Sequence, residues 1–208
     1  MYDYKENGFE VIDDFLPKDV ARKIELMFLK ENNKWEHTTQ VHDEAYGEGE
    51  YGKHYYLTTK SDKSQFPRED EEYIAKFWRS NKLELEVNDI FNEYFFPKIK
   101  EFSLLSELES DIRCNKLESG DHYRSHMDNY AGDVACVYYI NKKWCWDWGG
   151  ILHIGIGDEL KSIFPKYNRL VVQDTKNFRY PHFITPVNEW AQQSRFSLIS
   201  FNKDKNRS

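Results

Sequence analysis

The chain has 208 residues with 29 basic against 36 acidic side chains, a formal net charge of −7. That length allows a single domain with a sizeable core, and charges this dispersed argue against nucleic acid as a partner, because phosphate-backbone binding needs clustered cations. No run approaches the ~20 apolar residues of a membrane span, residues 1–10 carry charges in place of an apolar leader, and Cys114, Cys136 and Cys145 are odd in number with no C-x-x-C pair; the expectation is a protein of a reducing, cytoplasmic setting without membrane contact.

Residues 8–16 read as a short strand closing on Pro17. From Pro17 to about Glu31 the apolar positions Val20, Ile24, Met27 and Phe28 recur at helical spacing, with Pro17 tolerated in the first turn and Asp19 favourable at the positive end. Residues 35–41 and 53–59 read as strands flanking 43–52, whose Gly47, Gly49 and Gly52 lack the Lys-Ser/Thr ending of a phosphate loop. A hairpin tip is the plain reading of that stretch; with 60–68, a lid over an active site is the functional one. Residues 68–79 and 83–102 read as helices, the second interrupted at Pro97. After Glu109 strand formers take over: 111–117, 121–128, 134–140, 150–155, 169–174, 181–187 and 195–202 alternate with Gly- and Asp-rich turns. Strands at this spacing predict a sandwich or barrel, jelly roll prominent among the options. The expected fold is therefore mostly β with flanking helices. One domain spans 1–208, with a helical support layer and lid-like loops over 1–110 and a double-stranded β-helix (jelly-roll) core over 111–203.

Within the core, His126 and Asp128 stand two apart in Tyr123-Arg124-Ser125-His126-Met127-Asp128-Asn129, so on a strand imidazole and carboxylate share a face. That is two thirds of a 2-His-1-carboxylate iron site, although a bare H-x-D is more often an ordinary surface strand. His182 is the candidate third ligand; His37, His42, His54, His122 and His153 compete for the place. Arg195 and Ser197 share parity, and a guanidinium beside a hydroxyl inside a barrel is a receptor for a carboxylate, the alternative being a surface salt bridge. Trp144 and Trp146, in the turn 144–148, are either an aromatic cap on the barrel rim or a wall for substrate.

These stretches carry a resemblance. YRSHMDN, Gly132-Asp133, CVYYIN (136–141), GGILHI (149–154), KYNRLVV (166–172), HFITPV (182–187) and RFSLISF (195–201) resemble, in order and approximate spacing, the iron(II)/2-oxoglutarate-dependent dioxygenases of the prolyl-4-hydroxylase-like branch, including the hypoxia-sensing prolyl hydroxylases. The resemblance implies His126, Asp128 and His182 as iron ligands and Arg195 as the partner of the distal carboxylate of 2-oxoglutarate. Tyr139 would hydrogen-bond that carboxylate, Ser197 fits the R-x-S pattern, and Tyr123 would lie by the pocket. It also implies Fe(II), 2-oxoglutarate and O2 as cofactors and co-substrates, with ascorbate a candidate reductant, and release of succinate and CO2. The substrate would be a peptidyl proline or a similar residue in a peptide or protein; the alternatives are a free amino acid or small metabolite, or a jelly-roll module that binds without catalysis. Three departures bear on the substrate: Lys116 where some relatives place a pocket tyrosine, an insertion at 188–194, and His153 in place of a basic residue.

Overall fold

The computed structural model describes residues 8–42, 48–49, 52–53, 55–58, 73–104, 107–128 and 132–205. Loop 60–68 and most of 43–52, read as a lid, lie outside them. In chain order the elements are β1 (Phe9–Ile12), α1 (Lys18–Phe28), β2 (Glu36–His42), β3 (Glu48–Gly49), β4 (Gly52–Lys53), β5 (Tyr55–Thr58), β6 (Tyr73–Arg79), α2 (Asn81–Ile90) and α3 (Phe96–Ser103). The β core follows: β7 (Leu108–Leu117), β8 (His122–His126), β9 (Val134–Tyr139), β10 (Leu152–Ile156), β11 (Glu159–Ile163), β12 (Arg169–Asp174), β13 (His182–Ile184) and β14 (Arg195–Asp204). Among the described residues all but β3 and β4 join one antiparallel sheet, in the order β1-β12-β9-β14-β7-β6-β8-β13-β10-β11 with β2 and β5 branching from β6. The sheet curls so that β12-β9-β14-β7 faces β8-β13-β10, giving the jelly-roll core.

Directly opposed residues share a face of a sheet, which sorts the larger wall into two sets. Cys114, Leu198, Tyr138 and Leu170 form one row, with Phe196, Cys136 and Val172 on the same side. These pack beneath Ile24 and Phe28 of α1 and Leu83 and Val87 of α2. The apolar stripes of the helices are thus spent on the outer face of the wall, leaving the inner face for the site.

Three expectations are corrected. Residues 73–79, read as helical, form strand β6, paired with β2, β7 and β8. Buried Ala75 and Phe77 alternate there with half-buried Lys76 and Trp78, a period of two that places one side in the core. Strand β11, outside every expected strand, pairs with β10 across a hairpin at Gly157, whose φ of +58° suits glycine. Pro97, expected to interrupt its helix, follows a π-helical turn at Phe91–Phe95 that runs straight into α3. The wider turn relieves the clash of the proline ring with the preceding carbonyl and the loss of its N–H.

Asn168 ties the N-terminal segment to the barrel from a left-handed position (φ +58°). Its Oδ1 accepts from Leu16 N (2.9 Å) and the Tyr138 hydroxyl (3.0 Å), and its Nδ2 donates to Leu16 O (2.9 Å), all buried. Asn168→Ala removes three partners at once and strains the backbone, so urea unfolding should register a loss of roughly 2–4 kcal/mol.

Candidate metal centre

The inner face of the larger wall is a ladder of rows. Arg195 opposes Leu117 at one end; next come Asn115, Ser197 and Tyr139, then Arg113, Ile199, Val137 and Val171, and at the far end Asp111, Phe201, Ala135 and Gln173. Opposite, Tyr123, Ile184 and Leu152 form one row and His126, His182 and Ile154 another. Between the walls lies a cavity of about 60 Å³ that includes Tyr123, His126, Asp128, Gln173, His182 and Phe201 in its lining.

His126 and His182 meet because β8 and β13 pair them directly, and their ring centroids are 4.3 Å apart. Asp128 lies just beyond the end of β8, not within it as expected, and still turns its carboxylate onto both rings: His182 Nε2 is 3.1 Å from Oδ2 and His126 Nε2 is 3.5 Å from Oδ1. One ligand atom from each of the three lies within 4.8 Å of the others. Nδ1 of His126 faces the carbonyl of Arg124 (2.7 Å) and Nδ1 of His182 that of Tyr180 (3.3 Å). A carbonyl there requires the proton on Nδ1, so both Nε2 lone pairs aim at the shared centre. Burial alone would raise the Asp128 carboxyl, but the imidazoles, His182 foremost, hold it well below the usual carboxylate range. His182, conversely, is pulled down by burial and pushed above its ordinary value by Asp128. A divalent cation at this point would take the place of that proton.

A β-bulge sets the second wall. Between the His182–His126 and Ile184–Tyr123 pairs, β8 advances three residues while β13 advances two. The extra residue brings Tyr123 and His126 to one face, where strict alternation would separate them. Tyr123 stacks on His126 (6.0 Å) and on Phe77 (5.0 Å), and its hydroxyl accepts from Asn115 Nδ2 at 2.8 Å. The same bulge sends His122, which shares parity with His126, away to the carbonyl of Gly120. His37 packs on Trp78 and faces Asp121; His153 bonds Ser162 and stacks on Phe183. None of these joins the cluster, and His42 and His54 have no described side chain.

At the other end of the ladder Arg195 is 1% exposed. Its Nη1 lies 3.4 Å from Ser197 Oγ, and its guanidinium carbon sits 5.0 Å from the centre of the Tyr139 ring. Arg195 Nε and Nη2, the Tyr139 hydroxyl and Asn115 Oδ1 are buried without a hydrogen-bond partner among the described residues, and no carboxylate there pairs with Arg195. Burial lowers the pKa of Arg195 and Tyr139 opposes the change. A buried cation with idle donors is costly by itself and is a ready receptor for a carboxylate.

Residues 112–203 match the family model described as the 2OG-Fe(II) oxygenase superfamily. That match spans the β core, 92 of the 208 residues, and marks a likeness to this superfamily. No curated protein sequence matches the chain. Solved structures do. A Pseudomonas putida prolyl-4-hydroxylase superposes with a TM-score of 0.62 at 19% identity, covering 98% of this chain and 96% of that one. A prolyl hydroxylase from Trichoplax adhaerens, in complex with a hypoxia inducible factor peptide fragment, gives 0.64 at 17%, covering 97% and 86%. A 2OG-Fe(II) oxygenase family oxidoreductase from Burkholderia pseudomallei gives 0.61 at 14%, covering 99% and 89%. At such identities the likeness establishes the fold, which is prolyl-4-hydroxylase-like.

Lys116 does not hold the pocket position assigned to it. It faces the opposite side of β7, its Nζ 4.6 Å from the centre of the Trp78 ring and bonded to Glu118; the residue in line with Ser197 and Tyr139 is Asn115, one place earlier. Nor does either tryptophan line the cavity. Trp144 is buried, donates to Gly149 O at 2.9 Å and meets Trp148 edge-on; Trp146 is 79% exposed. Asn115 and Gln173 were missed as pocket residues. Parity with Ser197 signals the first, once the strand pairing is known; no motif signals the second.

Proposed function

We propose that this chain is an Fe(II)- and 2-oxoglutarate-dependent dioxygenase that hydroxylates an unactivated C–H of a proline or similar residue, with release of succinate and CO2. The observation that carries the reading is the combination, in one barrel, of the His126-Asp128-His182 cluster with Arg195 and Tyr139, whose Nε, Nη2 and hydroxyl have no hydrogen-bond partner among the described residues. His126, Asp128 and His182 would hold the metal on one side and leave positions open for other ligands. Arg195, with Tyr139 and Ser197, would take the distal carboxylate of 2-oxoglutarate. A divalent metal, Asp128, a dicarboxylate and Arg195 together sum to zero charge, as a dry cavity requires. When bound, Fe(II) and 2-oxoglutarate supply the activation of dioxygen. The protein's part is to orient both, to exclude water with Val137, Leu152, Ile184 and Ile199, and to present one C–H to the open side. Ascorbate would serve to keep the iron reduced. The proline assignment draws on the prolyl hydroxylases of similar fold; a free amino acid is the alternative.

The test is succinate release with Fe(II) and 2-oxoglutarate against proline-containing peptides, free amino acids and nucleotides. Uncoupled succinate above the protein-free rate is expected, with stimulation by the true substrate; no succinate under any condition would overturn the reading.

Gly150 supplies a more local test. It sits at φ +64°, and a Cβ there would come 2.7 Å from Cδ of Arg195. Gly150→Ala should displace the guanidinium and raise the KM for 2-oxoglutarate ~10-fold, because small misplacements in such a site carry large penalties. A melting curve taken alongside separates that effect from unfolding.

A further inference from the structure

We propose that the far end of the metal cavity is a receptor for an amino-acid unit with a free carboxylate, held by Arg113 and Gln173. This rests on the reading above that the cavity receives the molecule to be oxidised, and it names the chemistry of that molecule.

Gln173 carries the argument first. It is 7% exposed and lies in the cavity lining with His126, Asp128 and His182; its backbone is paired with Phe9 and Ala135, and its side-chain amide makes no hydrogen bond to a described residue. A primary amide offers two donors and an acceptor, and here they open onto the cavity, where a ligand can meet them. Its row explains the space before it. Ala135, the neighbour on β9, is small, and Phe201 follows on β14, so a hollow separates the amide from the Phe201 ring. With strands ~4.8 Å apart, Gln173 and Phe201 start roughly 10 Å from each other across that hollow.

Arg113 stands beside this lining, stacked on Phe201. It leaves β7 on the same inner face, with Ile199 as its β14 neighbour, and its guanidinium carbon rests 4.5 Å from the centre of the Phe201 ring. The side chain is only 15% exposed. Nε and Nη2 both donate to one oxygen of Asp111, at 2.8 and 2.6 Å, so Nη1 and the second Asp111 oxygen have no partner among the described residues. The stack on Phe201 and the bond to Asp111 fix the guanidinium plane, which is what recognition of a carboxylate by an arginine fork needs. The half-exposed Asp111 carboxylate, beside it, suits an ammonium or imino nitrogen. Arg195 anchors one carboxylate at the closed end of the ladder, and Arg113 is placed to anchor a second, the substrate's, at the open end. Ala135, Ile199 and Phe201 between them offer an apolar bed for the C–H side. An internal peptide residue has no free carboxylate to offer Arg113; a free amino acid or the last residue of a chain does.

Ligand-observed NMR titration of the full chain, with Zn(II) in place of iron and with 2-oxoglutarate, tests this using L-proline, L-leucine and glycyl-L-proline against their C-terminal amides. The free acids should bind ~10-fold or more tightly than the amides, as expected when a charged fork loses its partner. Arg113→Gln should erase that ratio, Arg113→Lys should keep part of it, and Gln173→Leu should weaken acids and amides alike. Tighter binding of the single amino acids assigns a free amino acid; tighter binding of glycyl-proline assigns a chain terminus. Amides that bind as well as acids, a ratio that survives Arg113→Gln, or no binding by any of the six would overturn the proposal and make Arg113–Asp111 a surface ion pair. Succinate formation by wild-type protein, with and without added amino acid, is the separate check: its absence under every condition sinks the dioxygenase reading, its presence without discrimination in binding sinks only this one.

Discussion

Asp128→Ala is expected to reduce succinate formation from 2-oxoglutarate below ~1% of the wild-type rate and to weaken Fe(II) binding at least ~100-fold, since loss even of groups that only support a metal ligand costs ~10–100-fold. The physical reason is charge. His126 and His182 are neutral donors through Nε2, so Asp128 is the one anion in the cluster and the group that selects a dication over a proton. Its carboxylate lies 3.1 Å from His182 and 3.5 Å from His126, so no other side chain in the cluster can replace it. Anaerobic calorimetry with Fe(II) reads the affinity, and a discontinuous succinate assay reads the turnover. Near-normal turnover would remove Asp128 from the metal centre. The folded state should survive the change. Without metal the carboxylate is balanced by a raised His182, and removing it lets that imidazole return to neutrality.

Arg195 yields the second large effect, and it runs in two directions. Arg195→Lys keeps a charge but loses the fork, and the KM for 2-oxoglutarate should rise ~100-fold, equivalent to about 2.7 kcal/mol and within the range of hydrogen bonds to a charged group. Arg195→Met should lose 2-oxoglutarate binding altogether and yet melt higher than wild type in the absence of ligand. In the free protein the guanidinium is buried with two nitrogens that meet no partner among the described residues, a state that packed hydrophobic atoms improve on. Thermal shift with and without 2-oxoglutarate separates the two effects. Wild type should gain stability with co-substrate, as any ligand that binds only the native state provides, and Arg195→Met should not. An unchanged KM in Arg195→Lys, with a full thermal shift in Arg195→Met, would strip Arg195 of its role.

The alternation of the strands was legible at β9, β12 and β14 because each has one face under helices and one toward the cavity. Apolar and functional residues therefore interleave at a period of two. It was not legible at 73–79, where charged residues before the segment resemble a helix N-terminus and only pairing with β2, β7 and β8 makes the strand. The two-residue shift from Asp128 to His126 signalled shared orientation even though the strand stops between them. The two histidines were a matter of spacing until β8 and β13 paired.

The order of motifs along the chain determined the family resemblance, the candidate ligands and the candidate carboxylate partner, because those depend on residue types that chemistry restricts: imidazole and carboxylate for iron, a guanidinium for a second carboxylate. What only the tertiary structure decided was which neighbours those groups keep. A one-residue bulge turned Tyr123 toward His126 and His122 away; one step of register put Asn115, not Lys116, on the inner face; and cross-strand rows brought Ala135, Gln173 and Phe201 to one end of the cavity with Arg113 stacked on Phe201, 88 residues separating the first of these four from the last. Facing direction in a sheet changes with every residue, so a shift of one reverses it, and no local pattern records such a shift.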